Sequence, residues 1–236
     1  MGGERAGICV ALDTQDAHAA AQMARALKGA VDYVKVGMEL FYAAGERGYA
    51  MVAEAGVPVF LDLKLHDIPN TVARGLDSLM RLSPPPAIVN VHAQGGPAML
   101  RAAAAAIDGR ARLIAVTLLT SLGEEDAAAI GLDGGREVAD HVANLAALAR
   151  ECGLDGVVCS PRDLARVRAR CGDDFLTVVP GIRPAGAAAN DQKRMATPAA
   201  AQAAGADILV IGRPVTGAEN PLEAVREIAA ELAASD

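Results

Sequence analysis

Eight short runs rich in β-branched and other apolar residues recur along the chain, and most are followed by a longer, Ala-rich stretch of helical period. They lie near residues 8–13, 33–37, 59–64, 87–92, 113–119, 156–159, 177–182 and 208–212. Strand signals alternating with helix signals call for parallel strands joined by crossover helices. The punctuation between them agrees. A first helix spans about 16–28 and stops at Gly29, a residue that tolerates the left-handed conformation. A last helix opens at Asn220-Pro221, a capping residue followed by Pro in the first turn, with Leu222, Val225, Ile228 and Leu232 as its apolar stripe. The Pro84-Pro85-Pro86 run cannot be helical and closes the third helical stretch. In 236 residues without a linker or low-complexity segment, eight such units predict an α/β fold. It is a (β/α)8 TIM barrel forming a single domain over residues 1–236, with a doubly wound open sheet as the competing layout.

Within four of these strands the polar residues fall on one face. Alternate side chains of a strand point the same way, so Phe60, Asp62 and Lys64 share a face opposite Val59, Leu61 and Leu63. Asp13 shares one with Cys9 and Ala11, Lys35 with Tyr33 and Gly37, and Asn90 with His92. The uniformly apolar faces suit packing against helices. The other faces, turned into the barrel, become polar toward their C-terminal ends, where enzymes of this architecture carry their chemistry.

Charge composition sharpens the choice of candidates. A net charge of −7 argues against a general nucleic-acid binder, which needs a basic face. An anionic ligand must therefore meet a local cluster of positive charge. Arg outnumbers Lys by 18 to 4, so a lysine in a strand interior is a notable choice. A purely structural ion-pair network is the plain reading of buried Asp62 and Lys64 with Lys35 nearby, since buried charges must be paired. Arg, with its planar fork, would serve that purpose better; Lys has a proton it can give up. The pattern thus favours a catalytic ammonium at Lys64. The cysteines Cys9, Cys152, Cys159 and Cys171 show no metal-ligand spacing and read as reduced, buried thiols. No secretory signal pattern opens the sequence, and no run reaches the roughly 18 apolar residues of a membrane span, so a cytoplasmic location and no membrane partner are expected.

The segment Leu61-Asp62-Leu63-Lys64-Leu65-His66-Asp67-Ile68-Pro69-Asn70-Thr71 resembles the D-x-K-x-x-D-I-P-N-T signature of the orotidine 5′-phosphate decarboxylases. Val34-Lys35-Val36-Gly37, Pro180-Gly181-Ile182-Arg183-Pro184, Asp191-Gln192 and Ile211-Gly212-Arg213 are similar to further segments of that family, in the same order. The resemblance covers essentially the whole chain. It implies a nucleotide decarboxylase that uses neither metal nor organic cofactor. By resemblance, Lys35, Asp62, Lys64 and Asp67 are the catalytic charged array, with Asp67 and Thr71 donated to the site of a neighbouring subunit in a homodimer. Asp13, Lys35 and Thr71 would contact the ribose region, Asp62 the substrate carboxylate, and Thr120, at the end of the fifth strand, the pyrimidine. Gln192, Gly212 and Arg213 would hold the phosphate, with Arg183 in the same loop system and residues 184–190 forming a lid over the ligand.

Plainer readings accompany the weaker candidates. Asp67 is also a natural helix cap ahead of Pro69. His92 faces the barrel interior as a pocket-lining or simply hydrogen-bonded core histidine. His66 reads as a partly exposed loop residue, and His18 and His141 as solvated helix residues. Two other functions compete. One is a magnesium-using phosphosugar lyase of the same superfamily, which shares D-x-K-x-x-D. The other is a barrel that binds phosphorylated ligands without turnover.

Overall fold

The computed structural model describes residues 5–132, 137–184 and 195–234. Eight strands form one closed, all-parallel barrel in sequence order, with β8 returning to pair with β1. They are β1 (Gly7–Ala11), β2 (Tyr33–Gly37), β3 (Val59–Leu65), β4 (Ile88–His92), β5 (Arg112–Val116), β6 (Gly156–Val158), β7 (Leu176–Val179) and β8 (Ile208–Ile211). Around them lie α1 (Ala17–Ala26), α2 (Met38–Ala53), α3 (Pro69–Leu79), α4 (Gly96–Ile107), α5 (Glu124–Ala129), α6 (Val138–Glu151), α7 (Leu164–Cys171), α8 (Pro198–Ala203), α9 (Arg213–Thr216) and α10 (Pro221–Ala233). The closed ring excludes the open doubly wound sheet. Among the described residues, no helix is long and apolar enough to cross a membrane.

Local chemistry explains the element ends. The Asp16 carboxylate accepts from the His18 and Ala19 N–H groups and starts α1, and Asn220 accepts from the Glu223 N–H to start α10. Pro follows the cap in α3, α8 and α10, where its missing N–H costs no helical hydrogen bond. Helix α1 ends at Ala26, slightly before the expected stop, and Gly29 turns the chain at φ 80°. Several strands are shorter at their C-terminal ends than the apolar pattern suggested: β1 leaves the ladder at Ala11, β5 at Val116 and β7 at Val179. Beyond β7 the chain continues extended, with Ile182 bridging to Ala196.

Two apolar layers result. The larger lies between barrel and helices and takes Ile8, Val10, Val34, Val36, Leu61, Val89 and Val91 from the strands. The smaller fills the barrel and is built from Cys9, Ala11, Phe60, Ile88, Ile114, Val178, Ile208 and Val210. Strand alternation assigned these faces correctly. All four cysteines are buried and free. His141, expected in solvent, is instead half-buried on α6, whose Val138 and Val142 are fully covered.

The N-terminal rim is closed by Arg168 of α7. Its guanidinium donates to the carbonyls of Phe175 and Gly205 and to Thr177 Oγ1, and pairs with Asp207 at 2.7 Å. Asp207 also accepts from the Thr177 N–H. Every donor is met by the connections at the feet of β7 and β8, so this Arg acts as a staple.

Candidate active site

The strand ends opposite that rim bring four charged side chains into one line. Asp13, two residues past β1, accepts from Lys35 Nζ of β2 at 3.0 Å. Lys35 Nζ lies 3.3 Å from Asp62 Oδ2, and Asp62 Oδ1 lies 2.7 Å from Lys64 Nζ, both on β3. Acid, base, acid, base thus alternate along three adjacent strands. Lys35 and Asp62 are each only 8% exposed, while Lys64 is half-open and the Asp13 carboxylate is the most accessible. The innermost pair is therefore largely desolvated, and the outer members keep access to solvent.

Burial works against charge on Asp62, but the ammoniums of Lys35 and Lys64 and the Asn90 amide more than offset it and hold the carboxyl below its usual range. Burial likewise opposes charge on Lys35; Asp62 and Asp13 outweigh it and hold its ammonium above the ordinary lysine range. Cys9 lies beneath the array, where burial pushes its thiol up and keeps it neutral. Each buried charge has a partner of opposite sign, the condition for keeping both ionised.

The backbone around the array departs from regular strand geometry. Leu61 pairs with Val89 and Leu65 with Val91, so three residues of β3 stand against Asn90 alone on β4. Lys64 occupies this bulge at φ 54°, the left-handed region seldom adopted by side-chain-bearing residues. Its N–H donates to Asn90 Oδ1 at 2.8 Å, and Asn90 Nδ2 donates to Asp62 Oδ1 at 2.7 Å. Gly37, ending β2, supplies clearance: a Cβ there would come within 3.0 Å of Lys35 Nζ.

The other expected site residues among those described follow the C-terminal ends of the strands. Gly212 follows β8, and a Cβ on it would lie 3.9 Å from Asp13 Oδ2, so the β8 end adjoins the array. Arg213 is exposed and opens α9 directly beyond it. Arg183 is buried past β7, its Nη1 donating to the Ile182 carbonyl at 2.9 Å. Thr120 is half-buried but stands four residues beyond Val116 in the loop, not at the end of the fifth strand, because β5 terminates earlier than its apolar run. Gln192 and residues 185–190 of the expected lid lie outside the described residues. Asp67, on the β3–α3 connection, and Thr71, in the first turn of α3, are exposed, and neither hydrogen-bonds to the array. The cap position of α3 belongs to Ile68; Asp67 Oδ1 accepts only from the adjacent Ile68 N–H, at 2.7 Å. His92 sits at the end of β4 with its ring 5.3 Å from that of exposed His66. Burial, then His66 and Lys64, holds its imidazole below the usual histidine range.

Sequence reasoning saw Asn90 only as a polar residue on the inward face and gave it no part in the site. Its signal was an amide in the middle of an otherwise apolar strand, which must find partners when buried.

A closed eight-stranded parallel barrel with a Lys/Asp array at the C-terminal ends of its strands has the layout of a (β/α)8 enzyme. The family model described as "Orotidine 5'-phosphate decarboxylase / HUMPS family" matches residues 7–228, and the chain belongs to that family. Relatives named "Orotidine 5'-phosphate decarboxylase" include one from Paramagnetospirillum magneticum, 50% identical over 95% of this chain and 97% of its own. Another, from Rhodospirillum rubrum, is 48% identical over 97% of this chain and 95% of its own. A crystal structure of the protein of that name from Lactobacillus acidophilus matches with a TM-score of 0.79 at 37% identity, covering 97% of this chain and 99% of that one.

Proposed function

We propose that this chain converts orotidine 5′-monophosphate to uridine 5′-monophosphate and carbon dioxide, the last step of de novo pyrimidine nucleotide synthesis. The observation that carries the reading is the Lys35–Asp62–Lys64 array, with Lys35 and Asp62 buried and Lys64 partly open, at the C-terminal end of the barrel near Gly212. Its relatives' shared name supplies the substrate.

The chemistry follows from where charge develops. Breaking the bond between C6 and the carboxylate leaves an electron pair in the ring plane, poorly stabilised by the ring π system. The Lys64 ammonium stabilises that pair and then delivers its proton to C6; the neutral amine regains a proton from solvent. Asp62 faces the departing carboxylate. Two like charges about 4 Å apart at an effective dielectric of about 20 are worth about 4 kcal/mol, which is about three decades of rate. Enzymes commonly achieve far more, so the larger share belongs to preorganised stabilisation by Lys64, driven in part by binding energy at the phosphate. Gln192, Arg213 and the Gly212 N–H grip that phosphate, Arg183 stands in the same loop system, and Asp13, Lys35, Thr71 and Thr120 contact the nucleoside. The steps written here call on no cofactor or metal, and both oxygens of Asp62 are engaged by ammonium groups.

The working unit is a homodimer with shared sites. Asp67 and Thr71 are exposed and make no hydrogen bond to their own array, and Ile68 between them is 66% exposed. Met38 and Tyr42, at the start of α2, and Leu119, in the connection after β5, are also exposed. Such apolar surface calls for a partner. Four reduced thiols fit a cytoplasmic setting.

The test is absorbance-monitored loss of orotidylate with EDTA present. Turnover undiminished by the chelator is expected. Dependence on added magnesium, with a phosphosugar as the better substrate, would install the metal-using branch of the family instead. For the shared site, Lys64→Ala and Asp67→Ala proteins, each inactive, should regain activity on mixing; no recovery despite demonstrated subunit exchange would sink it.

A further inference from the structure

Asn90 is completely buried, and its amide touches both members of the Asp62–Lys64 pair. The β3 bulge leaves the Lys64 N–H without a ladder partner, and Asn90 Oδ1 takes its place. The same side chain donates through Nδ2 to Asp62 Oδ1, the oxygen that also receives Lys64 Nζ. A lysine at φ 54° persists only where its surroundings hold it. We propose that Asn90 is a positioning residue: acting as acceptor to the Lys64 backbone and donor to Asp62, its amide sets where the ammonium stands relative to the carboxylate. This inference rests on the array being the seat of the reaction.

The requirement is specific. One short side chain must present one acceptor and one donor, in fixed directions, inside a dry strand. Leu fills the space with neither. Asp offers acceptors on both sides and would set a second carboxylate at hydrogen-bond distance from Asp62. The charged groups around position 90 are Asp62 and Lys64 on β3, Lys35 on β2 with Asp13 beyond it, and His92 on its own strand with His66 against it. Its neighbour on β5 is Ile114, which carries no charge.

The test compares wild type, Asn90→Leu and Asn90→Asp for orotidylate turnover across pH, with uridylate binding measured in parallel. Asn90→Leu should lose about a hundredfold in kcat, as a displacement of the reacting group by about 1 Å does, while uridylate affinity stays within a few fold. In Asn90→Asp the two carboxylates must hold a proton between them, since both cannot ionise at that distance. That variant should work best at acid pH and lose activity as pH rises through the elevated pKa of the pair, a limb the wild type lacks. A merely structural role would not create that limb. Wild-type kcat in Asn90→Leu, or a wild-type pH profile in Asn90→Asp, overturns the proposal. If Asn90→Leu fails to fold, the Asn90→Asp profile decides alone. Carboxyl-carbon NMR of Asn90→Asp follows the shared proton without substrate. It judges the Asn90 assignment even if wild type leaves orotidylate untouched, an outcome that would remove only the substrate assignment.

Discussion

The two ends of the barrel use similar ingredients to opposite effect. At the N-terminal rim, Arg168 pairs with Asp207 at 2.7 Å; at the C-terminal end, Lys64 pairs with Asp62 at the same distance. Arg168 spends its fork on backbone carbonyls, a hydroxyl and a carboxylate, so it joins segments of the chain and presents no proton for transfer. Lys64 makes one ion pair, keeps an accessible flank and stands on strained backbone. A cavity of about 560 Å³ does lie at the N-terminal end, lined by Arg5, Asp32, Tyr33, Arg112, Asp173 and Asp207. Size does not make it the site. Asp32 there is taken up by Arg5 and the Ile8 N–H, and Asp207 by Arg168 and Thr177. Whether a charged pair serves architecture or chemistry depends on what its remaining hydrogen-bonding capacity is aimed at.

That contrast can be broken in order of effect. Lys64→Ala should lower decarboxylation by about 10⁴-fold or more, the upper range for a lost proton donor that also stabilises charge, with little change in the urea midpoint; substantial residual turnover would move the chemistry elsewhere. Arg168→Ala should do the reverse. It should cost about 2–4 kcal/mol of stability, the consequence of stranding a partly buried carboxylate and several carbonyls. Measured well below its lowered urea midpoint, its kcat should stay near wild type, and a large kcat loss in folded protein would erase the distinction between the ends. Arg213→Ala should weaken kcat/KM for the phosphorylated substrate by about ten- to a hundredfold, the scale of one charge-assisted hydrogen bond. A substrate lacking the phosphate should be nearly indifferent, and equal losses for both would remove Arg213 from the phosphate site.

The smallest effect is a pH dependence of stability. The folded-state pKa of Asp62 is depressed, so its contribution is present above the unfolded carboxylate pKa and is lost as pH falls through the folded one. The folded-state pKa of Lys35 is raised, so its contribution is present below the unfolded lysine pKa and is lost as pH rises through the folded one. Urea midpoints across pH should therefore show an acid limb that Asp62→Asn flattens. An unchanged acid limb in that variant would mean that the array contributes nothing to acid stability.

Much of the molecule was legible before any coordinates. Eight alternating units gave the barrel, and period-two patterning separated outward Val34 and Val36 from inward Lys35. It also put Asp13, Lys35, Asp62 and Lys64 at one end. Those features are local: one chain segment and the rule that apolar faces pack away from water suffice to infer them. Strand ends were less legible. Thr120 continues the apolar run of β5 in sequence but leaves the ladder in space, because pairing needs a neighbour in register and β6 ends at Val158.

The amino-acid sequence by itself determined the architecture and the barrel end at which Asp13, Lys35, Asp62 and Lys64 gather, since both follow from periodicity. Only the tertiary structure decided how they are held: the β3 bulge, Lys64 at φ 54°, Asn90 bridging two strands and Gly37 leaving room for an ammonium. These depend on the register and separation of neighbouring strands, which closure of the barrel sets and no single stretch of sequence contains.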